Sequence, residues 1–298
     1  MSRIGRLGLG IVAFEGTEHL KNVTYELRGL CDVILVCLQR LSYHGEPIAD
    51  EDVARVEDLE RHGYVDGIVW FEPASDHADR GAQAPRYVEA DKRNFILDRL
   101  RDEGCTQAIV TDSDEFYDAE DFAAAKAVYD ATEEMRVSYC EYVNYYRDYE
   151  HILVWTSRTY VPFIADTAYG FDMDRGRIGL PSDPTRRYYI PEGDDAKRFV
   201  FNYDVVKMHH LSWIRKDISK KMRSWSAKLL FSDNPNLAEE ALERYRTFRD
   251  GQDAIITTTV PYFRMMVRRL PKQYIHPHYG LDQALEPGVW RKGGAERP

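Results

Sequence analysis

The residues best suited to chemistry fall in one stretch, 105–118, which reads CTQAIVTDSDEFYD. Ala108, Ile109 and Val110 form a short apolar run, and Asp112, Asp114 and Glu115 follow it closely. A strand that hydrophobic belongs inside a sheet, so the acids stand where a central strand leaves it. In open α/β sheets ligands bind outside the carboxyl ends of the strands. Crowded carboxylates repel one another, and a divalent cation relieves the repulsion. An Asp-x-Asp pair at such a point has a mechanical sense. One carboxylate takes the cation, the other takes the cation or a ribose hydroxyl, and the cation bridges the phosphates of a bound diphosphate. This puts Asp112 toward a ribose and sugar with a share in the ion, and Asp114 on the ion itself; Glu115 has no assigned part. Taken alone, such clusters also simply cap strands or begin helices.

Two further groups fit the same chemistry. Asp91, Arg93 and Asn94 lie near the start of a helix that feeds this strand. The planar fork of Arg93 matches the oxygen pairs of a diphosphate or of the second acid. Far downstream, His210 leaves a strand and completes an Asp/His set suited to Mn²⁺ or Mg²⁺. The plainer alternatives are a solvated helix charge and a histidine satisfied in the core or at the surface.

The elements that must position these groups can be read from periodicity. Residues 11–14 form a first strand, and 18–30 a helix with Leu20, Val23, Leu27 and Leu30 on one face. Strands follow at 31–38 and 67–71, with an acidic helix at 50–62, a polar loop at 72–85 and a helix at 87–101. That alternation predicts a parallel α/β sheet with right-handed crossovers. After a helix at 119–135 the pattern changes. Segments 137–149, 151–155 and 160–174 are rich in tyrosine and read as antiparallel strands with one half-wet face that a polar ligand could use. A loop at 175–197, a strand at 199–206 and helices at 214–231 and 237–249 complete the pattern.

Composition sets the bounds. The chain has 298 residues, 44% hydrophobic and 30% charged, as for an ordinary globular protein. A net charge of −10 argues against bulk attraction to nucleic acid or anionic membrane. Segments 215–228 and 264–272 are nevertheless locally basic. No apolar stretch approaches the ~18 residues that span a bilayer. The N-terminal MSRIGRLGLGIVAF reads as a strand rather than a signal peptide, because Glu15 ends it with no cleavage site. Cys31, Cys37, Cys105 and Cys140 form no CxxC pair, which predicts buried free thiols in a reducing cytoplasm.

Phe14-Glu15, Gln39, the Arg93-Asn94 helix, VTDSDEFYD and the late HHLSWIR with its Lys/Ser/Trp-rich continuation together resemble the GT-A glycosyltransferases. The nearest resemblance is to the bisecting N-acetylglucosaminyltransferases and their bacterial and phage relatives, over residues 8–230. It implies a Rossmann-like nucleotide-binding half with a mostly parallel sheet at 1–118, antiparallel acceptor-side strands at 119–230, and a C-terminal extension at 231–298. It also implies metal-dependent transfer of a sugar from a nucleotide-sugar, a UDP-sugar foremost, to an acceptor hydroxyl. Glu15 and Gln39 would then lie near the base and ribose. Arg93, with Asp91, Asn94 and Ser113, would hold the donor; Asp112, Asp114 and His210 would hold the metal. The chain departs from the bisecting enzymes in lacking their membrane anchor, secretory signal and cysteine-rich flanks, which favours a cytosolic acceptor.

The implied mechanism is direct displacement at the anomeric carbon, with a carboxylate as base if the configuration inverts. Asp172, Asp174 and Glu141 stand on the acceptor side for that task. The phage relatives suggest hydroxymethylated pyrimidines in duplex DNA as acceptor. Arg215 and Lys216 would then contact phosphate, and Trp213 or Trp225 would stack on a flipped base. A saccharide acceptor is the rival, with the basic helix as a solvated face; no obligate protein partner is implied. Two other classes also place acids after a strand: an Asp-x-Asp phosphohydrolase, and a non-catalytic nucleotide-sugar-binding protein. The former wants Thr or Val where this chain has Phe116.

Overall fold

The computed structural model describes residues 5–73, 81, 83–154, 159–194, 197–224, 237–249, 256–257 and 264–269. Four parallel strands, β1 (Leu7–Val12), β2 (Val33–Gln39), β3 (Gly67–Phe71) and β4 (Gln107–Asp112), lie in the order β3-β2-β1-β4. They are linked by α1 (Leu20–Leu27), α2 (Asp50–Arg61) and α3 (Ala84–Asp102). β2 is apolar almost throughout because both of its faces are covered. Ile34, Val36 and Leu38 share a core cluster with Leu20, Val23 and Leu27 of α1 and Val56 and Leu59 of α2. Val33, Leu35 and Cys37 share the opposite one with Ile96, Leu97 and Leu100 of α3. On β1, a Cβ at Gly8 would press on Leu100 and one at Gly10 on Ile96, so glycine there lets α3 close onto the sheet. The chain steps from β1 to β3 in one direction, and α3 then returns it to the far side of β1. Strand order therefore reverses between β1 and β4, where α/β sheets bind ligands.

The remaining strands extend the sheet beyond β4. They are β5 (Glu115–Phe116), β6 (Met135–Tyr146), β7 (Asp148–Val154), β8 (Tyr160–Asp166), β9 (Gly170–Phe171), β10 (Tyr188–Tyr189), β11 (Lys197–Val200), β12 (Lys207–Trp213), β13 (Ile256–Thr257) and β14 (Arg264–Arg269). β8 runs antiparallel to β4, β6 antiparallel to β8, and β7 and β14 continue outward in alternating directions. β11 and β12 lie parallel to β6, and β12 also pairs antiparallel with β5. β9 and β10 pair separately. Helices α4 (Ala119–Ala131), α5 (Ile218–Ser224) and α6 (Leu237–Thr247) complete the described elements. The result is a mixed α/β fold with a parallel half, as the sequence predicts, and a second half in which antiparallel pairings predominate but β11 and β12 join β6 in parallel.

Three local expectations change. The first strand begins at Leu7, since Gly8 and Gly10 blur its apolar run. His210 lies within β12 rather than after a strand. Most tyrosines of β6 do not face solvent: Tyr139, Tyr145 and Tyr146 are buried and Tyr142 is half-buried, because β6 is paired on both sides and sits between packed layers. The loop expected at 72–85 and the tail past residue 270 fall largely outside the described residues. All four cysteines are buried and free, and burial pushes the Cys37 thiol up to about 11 and the Cys140 thiol up to about 12. Among the described residues no helix is long and apolar enough to cross a membrane.

Candidate active site

The carboxyl ends of β1, β2 and β4 open onto a cleft of about 240 Å³. β1 contributes Val12 and the following Ala13, Phe14 and Glu15; Gln39, Ser42 and Tyr43 come from the end of β2. The far wall carries Ser212, Arg215 and Lys221 from the end of β12 and the start of α5. Two bonds fix the end of β1: Ser113 Oγ, after β4, donates to the Glu15 carbonyl at 2.7 Å, and Lys92 Nζ of α3 to the Ala13 carbonyl at 2.7 Å. Gln39 Nε2 donates to the Leu41 carbonyl at 2.6 Å and shapes the turn beyond β2.

Strand register brings the distant histidine to the acids. β12 pairs with β5 so that His210 opposes Glu115 and His209 opposes Phe116, and the Leu211 amide donates to the Asp114 carbonyl at 2.8 Å. His209 stacks on Phe116 at 4.8 Å and bonds Tyr145 Oη at 2.8 Å through Nδ1, so it belongs to the core. His210 instead faces the cleft. Its Nε2 lies 3.7 Å from Asp114 Oδ1 and 3.9 Å from Glu115 Oε1.

The cleft is crowded with both charge signs. Asp112 Oδ1 accepts from Arg93 at 2.8 Å, and Oδ2 accepts from Arg186. Asp114 Oδ2 accepts from Arg215 at 2.5 Å. Glu115 Oε2 accepts from Arg186 at 2.8 Å and from the Asp112 amide at 3.0 Å. Burial alone would raise each carboxyl. At Asp112 the guanidinium groups of Arg186 and Arg93 reverse that and hold it below the usual range. At Asp114, Arg215 and His210 do the same. At Glu115 burial prevails over Arg186, and its carboxyl is raised. Burial likewise lowers Lys92 to about 8 and His210 to about 4, which leaves His210 neutral near pH 7.

Donor chemistry tests the fit to a cation. Asp114, Glu115 and His210 each present one ligand atom within 4.8 Å of the others. The His210–carboxylate separations are too long for hydrogen bonds and suit groups converging on one ion. Glu115 Oε1 is buried 2.6 Å from Arg186 Nη2 without the alignment of a hydrogen bond. A neutral imidazole and two carboxylate oxygens are the ligands that Mn²⁺ or Mg²⁺ takes. Asp114, Glu115 and His210 therefore fit a divalent ion. Both oxygens of Asp112 accept from arginine, and it is not in that group.

Of the residues expected to act, Glu15, Gln39, Asp112, Ser113, Asp114, His210 and Arg215 line the cleft, and Arg93 reaches it through Asp112. Others are elsewhere. Asp91 does not line the cleft, and Asn94 bonds the Phe171 backbone in both directions, at 2.9 and 2.7 Å, pinning β9 to α3. Asp172 caps the turn at 172–175 and pairs with Arg175, and Asp174 accepts from Tyr87 Oη at 2.6 Å. Glu141 is buried in β6. Trp213 is buried against Tyr146 and Tyr245, with no ring face offered to a base, and Lys216 lines a neighbouring cavity. Trp225 lies outside the described residues. Arg186, Glu89, Lys92, Asp183 and Lys221 also line the cleft, although the sequence reading does not single them out. The sequence holds one signal for Arg186: Asp183-Pro184 is a turn-starting pair, and Asp183 caps the short turn Pro184–Arg186 that aims it.

No family model matches the chain, and no curated protein matches it in sequence. Among solved structures it is similar to S. aureus TarS, with 14% identity and a TM-score of 0.41. That likeness covers 82% of this chain and 44% of TarS, so the chain spans less than half of that protein's length. It is also similar to the inositol-1-phosphate CTP transferase from T. maritima, with 8% identity, a TM-score of 0.37, and coverage of 77% and 98%. Both likenesses are distant, and the chemistry of the cleft carries the functional reading.

Proposed function

We propose that the chain is a glycosyltransferase that binds a nucleotide-sugar together with a divalent cation at the β1/β4 switch point. The observation that carries this reading is the convergence of Asp114, Glu115 and His210 at a cleft that Asp114, His210, Lys92, Arg186, Arg215 and Lys221 line. Two carboxylates and an imidazole suit an ion; two lysines and two arginines suit the phosphates it accompanies. Asp114, Glu115 and His210 would hold Mn²⁺ or Mg²⁺, which when bound supplies positive charge to a departing diphosphate. Arg215 and Lys221 stand beside that position as donors to phosphate oxygen. Gln39, Ser42 and Tyr43 form the other end of the cleft, where hydroxyl and amide groups suit a nucleoside.

A phosphohydrolase needs an unencumbered carboxylate nucleophile. Asp112 is held by two arginines and Asp114 by a third, which disfavours that role. The acceptor is read as a saccharide rather than hydroxymethylated DNA. Trp213 is buried, Arg215 is bonded to Asp114, and Lys220 and Lys221 bond to Asp52 and Ser212, so these three cations are engaged within the chain.

The test is to incubate purified protein and Mn²⁺ with UDP- and GDP-sugars and identify the phosphate product. Glycosyl transfer to an acceptor or to water releases UDP or GDP, and that release stops with chelator. Release of pyrophosphate would instead indicate nucleotidyl transfer. Turnover of simple phosphoesters without donor turnover would sink the proposal.

A further inference from the structure

We propose that Asp183 is the catalytic base, taking the proton of the acceptor hydroxyl as its oxygen attacks the anomeric carbon; this rests on the glycosyltransferase reading above. Asp183 lines the cleft with Asp112, Asp114 and Arg186, whereas Asp172, Asp174 and Glu141 do not. Its two oxygens are unequally engaged. Oδ1 accepts from the Thr185 amide and hydroxyl, each at 2.9 Å, and lies 3.5 Å from Arg86. Among the described residues Oδ2 accepts no hydrogen bond. One half of the carboxylate is fixed in place, and the other half is available to a substrate.

Exposure separates Asp183 from the three acids that follow β4. Its side chain is 41% exposed, against 27% for Asp112, 5% for Asp114 and 1% for Glu115. Those three are bonded to arginines, and Glu89 to Arg93. Burial acts to raise the Asp183 carboxyl, but Arg186 and the Thr185 amide outweigh it, so the group is ionised at neutral pH. An acceptor arriving from solvent thus meets an anchored, ionised carboxylate on the same turn as Arg186.

The step balances as a single displacement. The acceptor oxygen bonds to the anomeric carbon while the bond from that carbon to the phosphate oxygen breaks. The bonding pair leaves with the diphosphate, and the acceptor proton passes to Asp183 Oδ2 and then to solvent. The anomeric configuration inverts.

Asp183→Asn separates base from cap, because an asparagine side chain can still accept from Thr185. With Mn²⁺ and UDP- and GDP-sugars, water serving as acceptor, D183N is expected to lower the kcat of nucleoside diphosphate release by about 100-fold or more. Donor affinity by calorimetry is expected to stay within about twofold of wild type. The sugar freed by the wild type should first appear, by NMR, with the anomeric configuration opposite to the donor's. If D183N does not fold, D183S, which also caps helical turns, takes its place. Wild-type rates in the variant, retention of configuration, or loss of turnover in E15Q but not in D183N would overturn the assignment. A wild type that neither binds nor turns over any of these donors would overturn the glycosyltransferase reading, and this inference with it.

Discussion

Arg215 lies across Gly16, so that a Cβ on that glycine would stand inside its guanidinium, and from there it bonds Asp114. Gly16 also has φ of 74°, a left-handed conformation that costs an L-residue about 1–2 kcal/mol. Gly16→Ala therefore carries two penalties, one in the backbone and one from displacing Arg215 off a buried carboxylate. Only the second depends on Arg215. A double-mutant cycle should show G16A costing less in an R215A background than in wild type, by at least ~1 kcal/mol in denaturant unfolding. Additive effects would mean that Arg215 does not need the space Gly16 leaves.

The cation site predicts an order among four variants. E115Q and H210A each remove a ligand atom from the set and should weaken Mn²⁺ binding about tenfold or more in calorimetric titration. D114N should do likewise and also release Arg215. D112N should weaken the ion least, because Asp112 is engaged by Arg93 and Arg186. An ion lost with D112N but kept with E115Q would restore the plain Asp-x-Asp reading.

The legible parts of the sequence are those that local patterns encode. β2 can be read because a strand covered on both faces is a continuous apolar run, and the acids after β4 because polarity breaks there so abruptly. Arg186 cannot, since it comes from an irregular loop whose return to the sheet has no period. Glu115 gains its role only beside His210, and that meeting depends on an antiparallel pairing of β5 with β12, a long-range register that spacing does not carry. Trp213 misleads for a related reason: the aromatic neighbours that bury it, Tyr146 and Tyr245, are far away in the chain.

Asn94 offers a clean separation of a structural role from a donor-binding one. Its amide donates to the Phe171 carbonyl and accepts from the Phe171 amide, which reproduces a strand pairing between α3 and β9. Asn94→Ala leaves both backbone groups without that partner, at a cost of about 1–3 kcal/mol. Thermal unfolding should therefore shift downward while KM for the donor, measured below the new transition, stays at the wild-type value. A raised KM at unchanged stability would return Asn94 to the donor site.

His19 gives the fold a dependence on pH. Its ring is fully buried, Nε2 lies 2.5 Å from the Ile214 carbonyl, and Nδ1 has no hydrogen-bond partner among the described residues. The neutral ring satisfies Ile214 through Nε2–H, and a second proton on Nδ1 would have no acceptor. Burial, reinforced by Arg215, lowers the imidazole from 6.5 to about 4. Between those values the unfolded chain binds the proton and the native chain does not, so stability rises with pH across the window. As pH falls from 6.5 toward 4 the loss attributable to His19 approaches ~3 kcal/mol at most. His19→Gln keeps a donor for Ile214 and removes the titration. Denaturant midpoints for wild type should thus fall more steeply than those for H19Q between pH 7 and pH 4.5, on the order of 1–3 kcal/mol. Parallel profiles for the two proteins would mean that His19 already accommodates its second proton in the native state.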